Sequence, residues 1–423
     1  MRIAIIALGS RGDVQPYIAL GLGLKKTGHT VRLVTQEDYE ALVVSHNLDF
    51  WCMRGNVQEA LESREMRELL EKGNFLAIMK LMAEKTRRAS VQWAEDGLIA
   101  CQGMDLLITS MGSIFIGAAF AEKLNIPLLQ TYLAPFTPTK AFPSVLLPQF
   151  PLNLGGAFNL ISHKVTRLLA WWGFEPAYNL ARQRVLGLPP TSFSRPFHSD
   201  HSKGLPTLYG FSPSVIPAPA DWGDDIHVTG YWFLDPPDDW TPPPALLDFL
   251  QAGSPPVYIG FGSMSSRKPR VTTDLVIKAL KKTNQRALLF SGWSGLHKEV
   301  LPASVLMIDS TPHAWLFPRV AAVIHHGGAG TTAAGLRAGV PSIVIPFFGD
   351  QPFWGQRVGD LGVGPSPIPR QKLTVDLLAQ AIQEAVTNTN MRQRAAKLGL
   401  KIQAEDGIAN AVDIIRRIEE SIS

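Results

Sequence analysis

His325-His326-Gly327-Gly328-Ala329-Gly330-Thr331-Thr332 closes an apolar run, 321–325, and leads into a small-residue stretch of helical character. In order, it reads as a strand end, a glycine turn and a helix start. Such a junction aims bare backbone N–H groups at an anion. Glycine at 327, 328 and 330, directly after paired histidines, is costly for folding unless a ligand approaches the backbone there. His326 stands where the strand runs out, placed to hydrogen-bond a phosphate oxygen, and Thr331 opens the helix. The bland alternative is a glycine-rich helix start with a satisfied histidine. A further apolar strand, 341–346, follows, and Asp350-Gln351 lies just past it, 24 residues after His326. Alone, an Asp-Gln pair is an ordinary surface turn. At the end of the next strand it stands over the same strand ends as His326. A phosphate cradle beside a pair able to grip hydroxyls points to a phosphate-linked sugar.

The alternation of strand and helix extends in both directions. In the second half, 257–261 is a strand ending in Gly262-Ser263, and 286–291 and 305–308 are strands, with helices between and after them. In the first half, 3–8 is a continuous apolar run bounded by Gly9, as buried parallel strands are. Residues 14–26 have helical spacing and stop at Gly28. Strands are expected at 29–35, 105–110 and 127–132, with a helix at 113–124. A βαβ series of this kind builds a parallel, doubly wound sheet. Residues 234–244 hold five prolines in eleven positions, an extended linker after which the pattern restarts. The expected fold class is therefore α/β, with Rossmann-like domains at 1–235 and 236–423 facing an interdomain cleft and ligands at the carboxyl ends of the strands.

Composition narrows the function classes. A chain of 423 residues is too long for one ordinary core, and 46% hydrophobic residues are ample for two. Only 18% of residues are charged, which argues against long disordered tails. The net charge of +4 comes without an arginine stripe or Lys/Arg run, so no nucleic-acid partner is expected. A weak attraction to anionic phosphates or lipid head groups remains. Cys52 and Cys101 show neither metal spacing nor a disulfide framework and read as free thiols in a reduced, cytoplasmic setting. Residues 1–8 form a strand rather than a signal peptide, and no run of 18 uncharged apolar residues predicts a transmembrane helix. Residues 136–176 are rich in large apolar side chains, among them Phe136, Phe142, Trp171 and Trp172. Their single acid is Glu175, against Lys140, Lys164 and Arg167. Three readings stay open: core and loop, an apolar acceptor pocket, or a patch touching a membrane surface.

Other chemistry-bearing stretches are few. Gly9-Ser10-Arg11-Gly12-Asp13-Val14 joins the first strand to the first helix but lacks the third glycine of a dinucleotide fingerprint. Asp13 reads either as a helix N-cap or as a general base with a pKa tuned by burial. Gly262-Ser263 is either an ordinary strand exit or a close approach to phosphate. Adjacent His325 and His326 point apart rather than at one ion, so no metal site is expected. A Gly-x-Ser-x-Gly elbow, an Asp-x-Asp motif and a placeable carboxylate pair are all missing.

These residues resemble the family 1 inverting glycosyltransferases of GT-B fold, and more narrowly the catalytic domain of sterol 3-beta-glucosyltransferases and their bacterial relatives. The likeness rests on Gly9-Ser10-Arg11-Gly12-Asp13-Val14-Gln15-Pro16-Tyr17, on Tyr258-Ile259-Gly260-Phe261-Gly262-Ser263-Met264, and on the run from Pro312-His313 through the glycine junction to Gly349-Asp350-Gln351-Pro352-Phe353-Trp354. It implies a UDP-sugar, with UDP-glucose first, as co-substrate and no further cofactor. His326 would contact the diphosphate, with Gly328, Gly330 and Thr331 donating to it. Asp350 and Gln351 would hold the sugar, Ser263 would lie near the phosphates and His313 near the uracil, and Ser10 is assigned to the donor. Asp13 matches the catalytic base. Phe136, Phe142, Trp171 and Trp354 are assigned to the acceptor. The resemblance also implies that the last helix, about 409–422, packs back on the first domain. Ala329 and Ala334 depart from plant members, which carry tryptophan and a ribose-binding glutamate there. The ribose contact is therefore unassigned. The expected reaction is inverting, metal-independent transfer of a hexose to a hydrophobic alcohol, a sterol 3-hydroxyl first, in a cytoplasmic enzyme, with peripheral membrane contact one of the readings left open for 136–176. Alternatives are a macrolide, polyketide or glycopeptide aglycone as acceptor, and a non-catalytic lipid or nucleotide-sugar binding protein.

Overall fold

The structure is a computed structural model that describes residues 1–55, 63, 65–66, 68–69, 75–147, 154–191, 202–237, 240–261, 269–290 and 301–422. The chain divides into two compact units. One is Met1–Ala60, Leu76–Leu234 and Glu405–Ser423; the other is Leu61–Phe75 and Asp235–Ala404.

The first unit contains β1 (Arg2–Ile6), α1 (Arg11–Lys26), β2 (Thr30–Thr35), α2 (Glu40–Ser45), β3 (Asp49–Cys52), α3 (Phe75–Cys101), β4 (Leu106–Thr109), α4 (Ile114–Leu124), β5 (Leu128–Tyr132), α5 (Gly155–Ala181), β6 (Thr207–Tyr209) and β7 (Ile226–Val228). Its sheet has the order β3-β2-β1-β4-β5-β6-β7, and every neighbouring pair is parallel. The continuous apolar run of β1 follows from burial on both faces. Ile3, Ile5 and Ala7 enter one core with Leu33, Ile108 and Tyr17. The alternate Ala4, Ile6 and Leu8 enter the other with Val34, Phe120 and Trp171. The apolar run outlasts the pairing: Ala7 and Leu8 are buried although the strand ends at Ile6. Cys101 is buried, Cys52 is half-buried, and both are free thiols.

The second unit contains α6 (Pro244–Gln251), β8 (Val257–Gly260), α7 (Pro269–Thr283), β9 (Ala287–Phe290), β10 (Val305–Ile308), α8 (His313–Leu316), β11 (Ala322–His325), α9 (Ala329–Ala338), β12 (Ser342–Val344), α10 (Gln351–Asp360), α11 (Val375–Thr387) and α12 (Thr389–Gln403). Its sheet, β10-β9-β8-β11-β12, is again parallel throughout. Tyr258, Leu288, Ile308, Leu316, Phe317 and Val323 form one of its cores. In each sheet the first strand has the second on one side and the fourth on the other, so the order reverses at β1/β4 and at β8/β11. Open α/β sheets bind ligands at such a reversal, beyond the carboxyl ends of the strands.

The final helix, α13 (Gly407–Ile422), belongs to the first unit. Its Ala411, Val412, Ile415 and Ile418 share one face and join the α1 side of that unit's core. No described helix is long and apolar enough to cross a membrane.

Candidate functional site

In the second unit the site grows from the end of β11. His325 is completely buried, and its Nδ1 accepts the Gly327 N–H at 3.0 Å. In the neutral ring the proton therefore sits on Nε2. Desolvation, followed by the neighbouring His326 and His313, holds His325 well below the ordinary histidine pKa. Gly327 has φ +91°, and a Cβ there would lie 2.6 Å from Val344 Cγ1 and 3.0 Å from the Gln351 carbonyl oxygen. The turn is thus wedged between β12 and the start of α10.

Gly328 caps α9, and Thr332 returns both its N–H and its hydroxyl to the Gly328 carbonyl at 2.9 Å. The N–H groups of Ala329, Gly330 and Thr331 consequently have no partner within the helix. The helix opens at Ala329, not at Thr331 as its sequence suggested, because Gly328 already takes up the extended cap conformation. Thr331 lies within the first turn. The His326 ring reaches back over this junction: its Nε2 lies 2.6 Å from where a Cβ on Gly328 would be. Burial lowers the His326 pKa to about 4. At neutral pH the ring is an uncharged hydrogen-bond donor beside a helix start that carries partial positive charge.

One strand further on, Asp350 caps α10. Its Oδ2 accepts the Trp354 indole N–H at 2.8 Å. The Gln351 Oε1 accepts the backbone N–H groups of Phe347 and Phe348 at 2.8 and 3.2 Å. Gln351 therefore shapes the loop ahead of it, a role that chain position alone did not reveal. The His313 ring stacks on Phe317 with centroids 4.3 Å apart and meets the Tyr258 edge at 5.8 Å. Ser263 lies outside the described residues.

In the first unit Asp13 is not the N-cap of α1. Ser10 is, and Asp13 occupies the third helical position, where its Oδ2 accepts both the N–H and the hydroxyl of Ser10 at 2.8 Å. This is a capping box in which the acid partners the cap residue. It turns the hydroxyl of Ser10, expected to bind the donor, toward the carboxylate. Gly9 has φ +144°, and a Cβ there would lie 2.5 Å from Asp13 Oδ2. Tyr39 donates its hydroxyl to the Gly9 carbonyl at 3.2 Å. Asp13 keeps solvent-exposed surface, yet desolvation by the surrounding protein raises its pKa above the ordinary carboxyl value, outweighing the two Ser10 hydrogen bonds that lower it. Tyr39 escaped the sequence reading; the only signal was its place just beyond β2, level with the Gly9 turn.

The four aromatic residues assigned to the acceptor divide. Phe142 is half-buried, and its carbonyl contacts the His163 ring at 3.1 Å. Phe136 packs on Tyr132 at 5.3 Å, beneath the Arg167 guanidinium. Trp171 is 1% exposed and packs against Phe115 and Tyr178 in the first unit's core. Trp354 is wholly buried in the second unit, where it braces Asp350. The last two are core residues that offer no open face. No group of three or more His, Cys, Asp or Glu among the described residues could hold a metal ion.

Comparison with known proteins bears on the family. A profile of the glycosyltransferase family 28 N-terminal domain matches residues 3–143, and one of the erythromycin biosynthesis protein CIII-like C-terminal domain matches 291–417. A sterol 3-beta-glucosyltransferase of Arabidopsis thaliana is 37% identical, over 99% of this chain and 68% of its own length. The chain belongs to the sterol 3-beta-glucosyltransferase family. A second such relative, from Neosartorya fischeri, is 40% identical over 99% of this chain, which spans only 29% of that protein's length. Among solved structures, the glycosyltransferase of kitacinnamycin superposes with a TM-score of 0.69 at 18% identity, covering 98% of both chains. The calicheamicin glycosyltransferase CalG4 gives 0.69 at 17%, over 100% of this chain and 99% of its own. A Streptomyces glycosyltransferase complexed with thymidine diphosphate gives 0.64 at 18%, over 99% of both. These likenesses establish the GT-B fold for this family member.

Proposed function

We propose that the protein transfers glucose from UDP-glucose to the 3-hydroxyl of a sterol with inversion at the anomeric carbon. The observation that carries this reading is the junction after β11. An uncharged His326 and three backbone N–H groups without helical partners converge there, next to Asp350 and Gln351 at the following strand end. A diphosphate leaving group acquires negative charge as the C1–O bond breaks, and fixed donors at a helix start stabilise that charge without reorganising. In this reading Asp350 and Gln351 hold sugar hydroxyls. His313, Ser263 and Ser10 are the remaining donor-side candidates, and Phe136 and Phe142 the acceptor-side ones.

Asp13 supplies the second half of the chemistry. Its raised pKa makes the carboxylate a stronger base, as removal of an alcohol proton requires. The acceptor oxygen attacks C1, its proton passes to Asp13, and the C1–O electron pair leaves with UDP. A single displacement converts an α-linked donor into a β-glycoside. The sterol acceptor is supported by the names of the relatives; the erythromycin-type profile covers only 291–417 and leaves the acceptor half untouched.

The test is incubation of the purified chain with UDP-glucose and a sterol, with product mass and anomeric configuration as readouts. Asp13→Ala should lower turnover by about 100- to 10,000-fold while UDP binding persists. Unchanged turnover would remove Asp13 from the mechanism. Glucosylation of a macrolide or polyketide but no sterol would replace the acceptor. UDP-glucose binding without transfer to any acceptor would leave a binding protein.

A further inference from the structure

Helix α5 is amphipathic in the inverse sense over its first half. Asn159, Ser162, His163 and Thr166 face inward and are buried. Each bonds to the loop over 140–144. The Asn159 amide donates to the Lys140 carbonyl at 2.8 Å, and the His163 Nε2 meets the Phe142 carbonyl at 3.1 Å. The Ser144 N–H donates to Ser162 Oγ at 2.8 Å, and Thr166 donates to Ser144 Oγ at 2.7 Å. The outward line carries Leu154, Ile161, Val165, Leu168 and Trp172, which are 52%, 58%, 44%, 36% and 55% exposed. Five of the eleven exposed large hydrophobic side chains among the described residues fall on this one line. At 1.5 Å per residue it runs for about 27 Å. A helix of a globular domain ordinarily turns its apolar stripe to the core. Here polar bonds anchor the first half of the helix, and Trp171 and Tyr178 enter the core from its second half, so the exposed apolar line is not the face that packs on the domain. A contiguous exposed stripe marks an interaction site.

Charge selects the partner. Exposed Lys164 lies on the same face, between Ile161 and Leu168. Exposed Lys140 packs where the helix begins: a Cβ on Gly156 would lie 3.0 Å from its own Cβ. Near the far end, a Cβ on Gly173 would lie 3.7 Å from that of Ala83 on α3. That part of α3 exposes Lys80, Arg87 and Arg88, and its Glu84 is already paired with Arg88. The one acid of α5, Glu175, accepts the Asn179 amide. An apolar line ending in tryptophan with a cationic rim matches the boundary of an anionic bilayer, where apolar side chains enter the acyl region and lysines meet the head groups. We propose that the outward face of α5 docks the protein on an anionic lipid surface. None of Asp13, His326, Asp350 or Gln351 takes part, so the proposal stands apart from the proposed reaction.

The experiment is sedimentation with vesicles of phosphatidylcholine alone or mixed with phosphatidylserine, with neither UDP-sugar nor sterol present. The wild-type chain should partition to the mixed vesicles and be released by salt. Ile161→Ser/Leu168→Ser should lower that partition on the order of tenfold. Lys140→Gln/Lys164→Gln should weaken it roughly fivefold per lysine. Thermal unfolding should match wild type in both, since the altered side chains are exposed. If the first variant fails to fold, the second reads the same face independently. The proposal is overturned if the wild type ignores phosphatidylserine vesicles or if both variants bind as the wild type does. It is also overturned if the face instead closes a dimer in solution that Ile161→Ser/Leu168→Ser breaks. Since the vesicles hold neither substrate, each of those outcomes leaves the glucosyltransferase reading standing.

Discussion

Asp13 is pulled in two directions: desolvation raises its pKa and the Ser10 hydrogen bonds lower it. In the proposed reaction the carboxylate is the working form, so kcat/KM should fall on the acid side at a pH above the ordinary carboxyl value. Ser10→Ala removes the hydroxyl donor and keeps the backbone one, and should move that acid limb further up. A pH–rate profile checks it. An unmoved limb with a raised donor KM would return Ser10 to donor binding. His326 shows the opposite perturbation. Its folded pKa, about 4, lies below the ordinary histidine value, so between the two the unfolded chain binds the proton and the folded chain does not. Stability from this group is fully present above the unfolded value, falls as pH drops from about 6.5 toward 4, and is lost below that. The linkage is worth at most about 3 kcal/mol for this half-buried ring. Urea unfolding across that range should show a slope that His326→Gln reduces. An identical slope in the variant would mean that His326 titrates normally.

Helices α9 and α10 start from neighbouring strands, and the turn before one presses on the first residue of the other through Gly327 and Gln351. Gln351→Ala would leave the Phe347 and Phe348 N–H groups without their acceptor, at a cost of about 1–3 kcal/mol. Gln351→Glu retains an acceptor oxygen and should lose less. Thermal unfolding and donor KM, measured on both, separate the loop-holding role from direct sugar contact. A raised KM with no stability change in Gln351→Ala would favour contact alone. These elements show what the sequence could convey. The ends of β11 and β12 were legible because an apolar run gave way to glycine and polar residues. The start of α9 was misplaced by two residues, since Gly328, having no side chain, gives no capping signal. The box at α1 was misread because both Ser10 and Asp13 are good caps, and only the backbone decides which one lies outside the helix. Trp171 and Trp354 passed for ligand contacts because composition does not report on which side of a helix a ring is buried.

At the scale of the molecule, both sheets were anticipated from alternating apolar runs, whereas β3, β6 and β7 were not. Each is three or four residues long, and β3 and β7 are only half-buried, so they lack the continuous hydrophobic run that betrays a central strand. The first unit is discontinuous in sequence: its core is completed by α13, on which Ile415 is fully buried. A defect near the chain end should therefore be felt at its beginning. Ile415→Ala removes a buried branched side chain, which costs about 2–5 kcal/mol. If α13 is integral to the first core, that loss falls on the β1 side. Hydrogen exchange should speed up in β1, β2 and α1, while β8, β9 and β11 keep wild-type protection at the same pH and temperature. Faster exchange confined to the second sheet would show that the energetic unit of α13 is not the one its packing indicates.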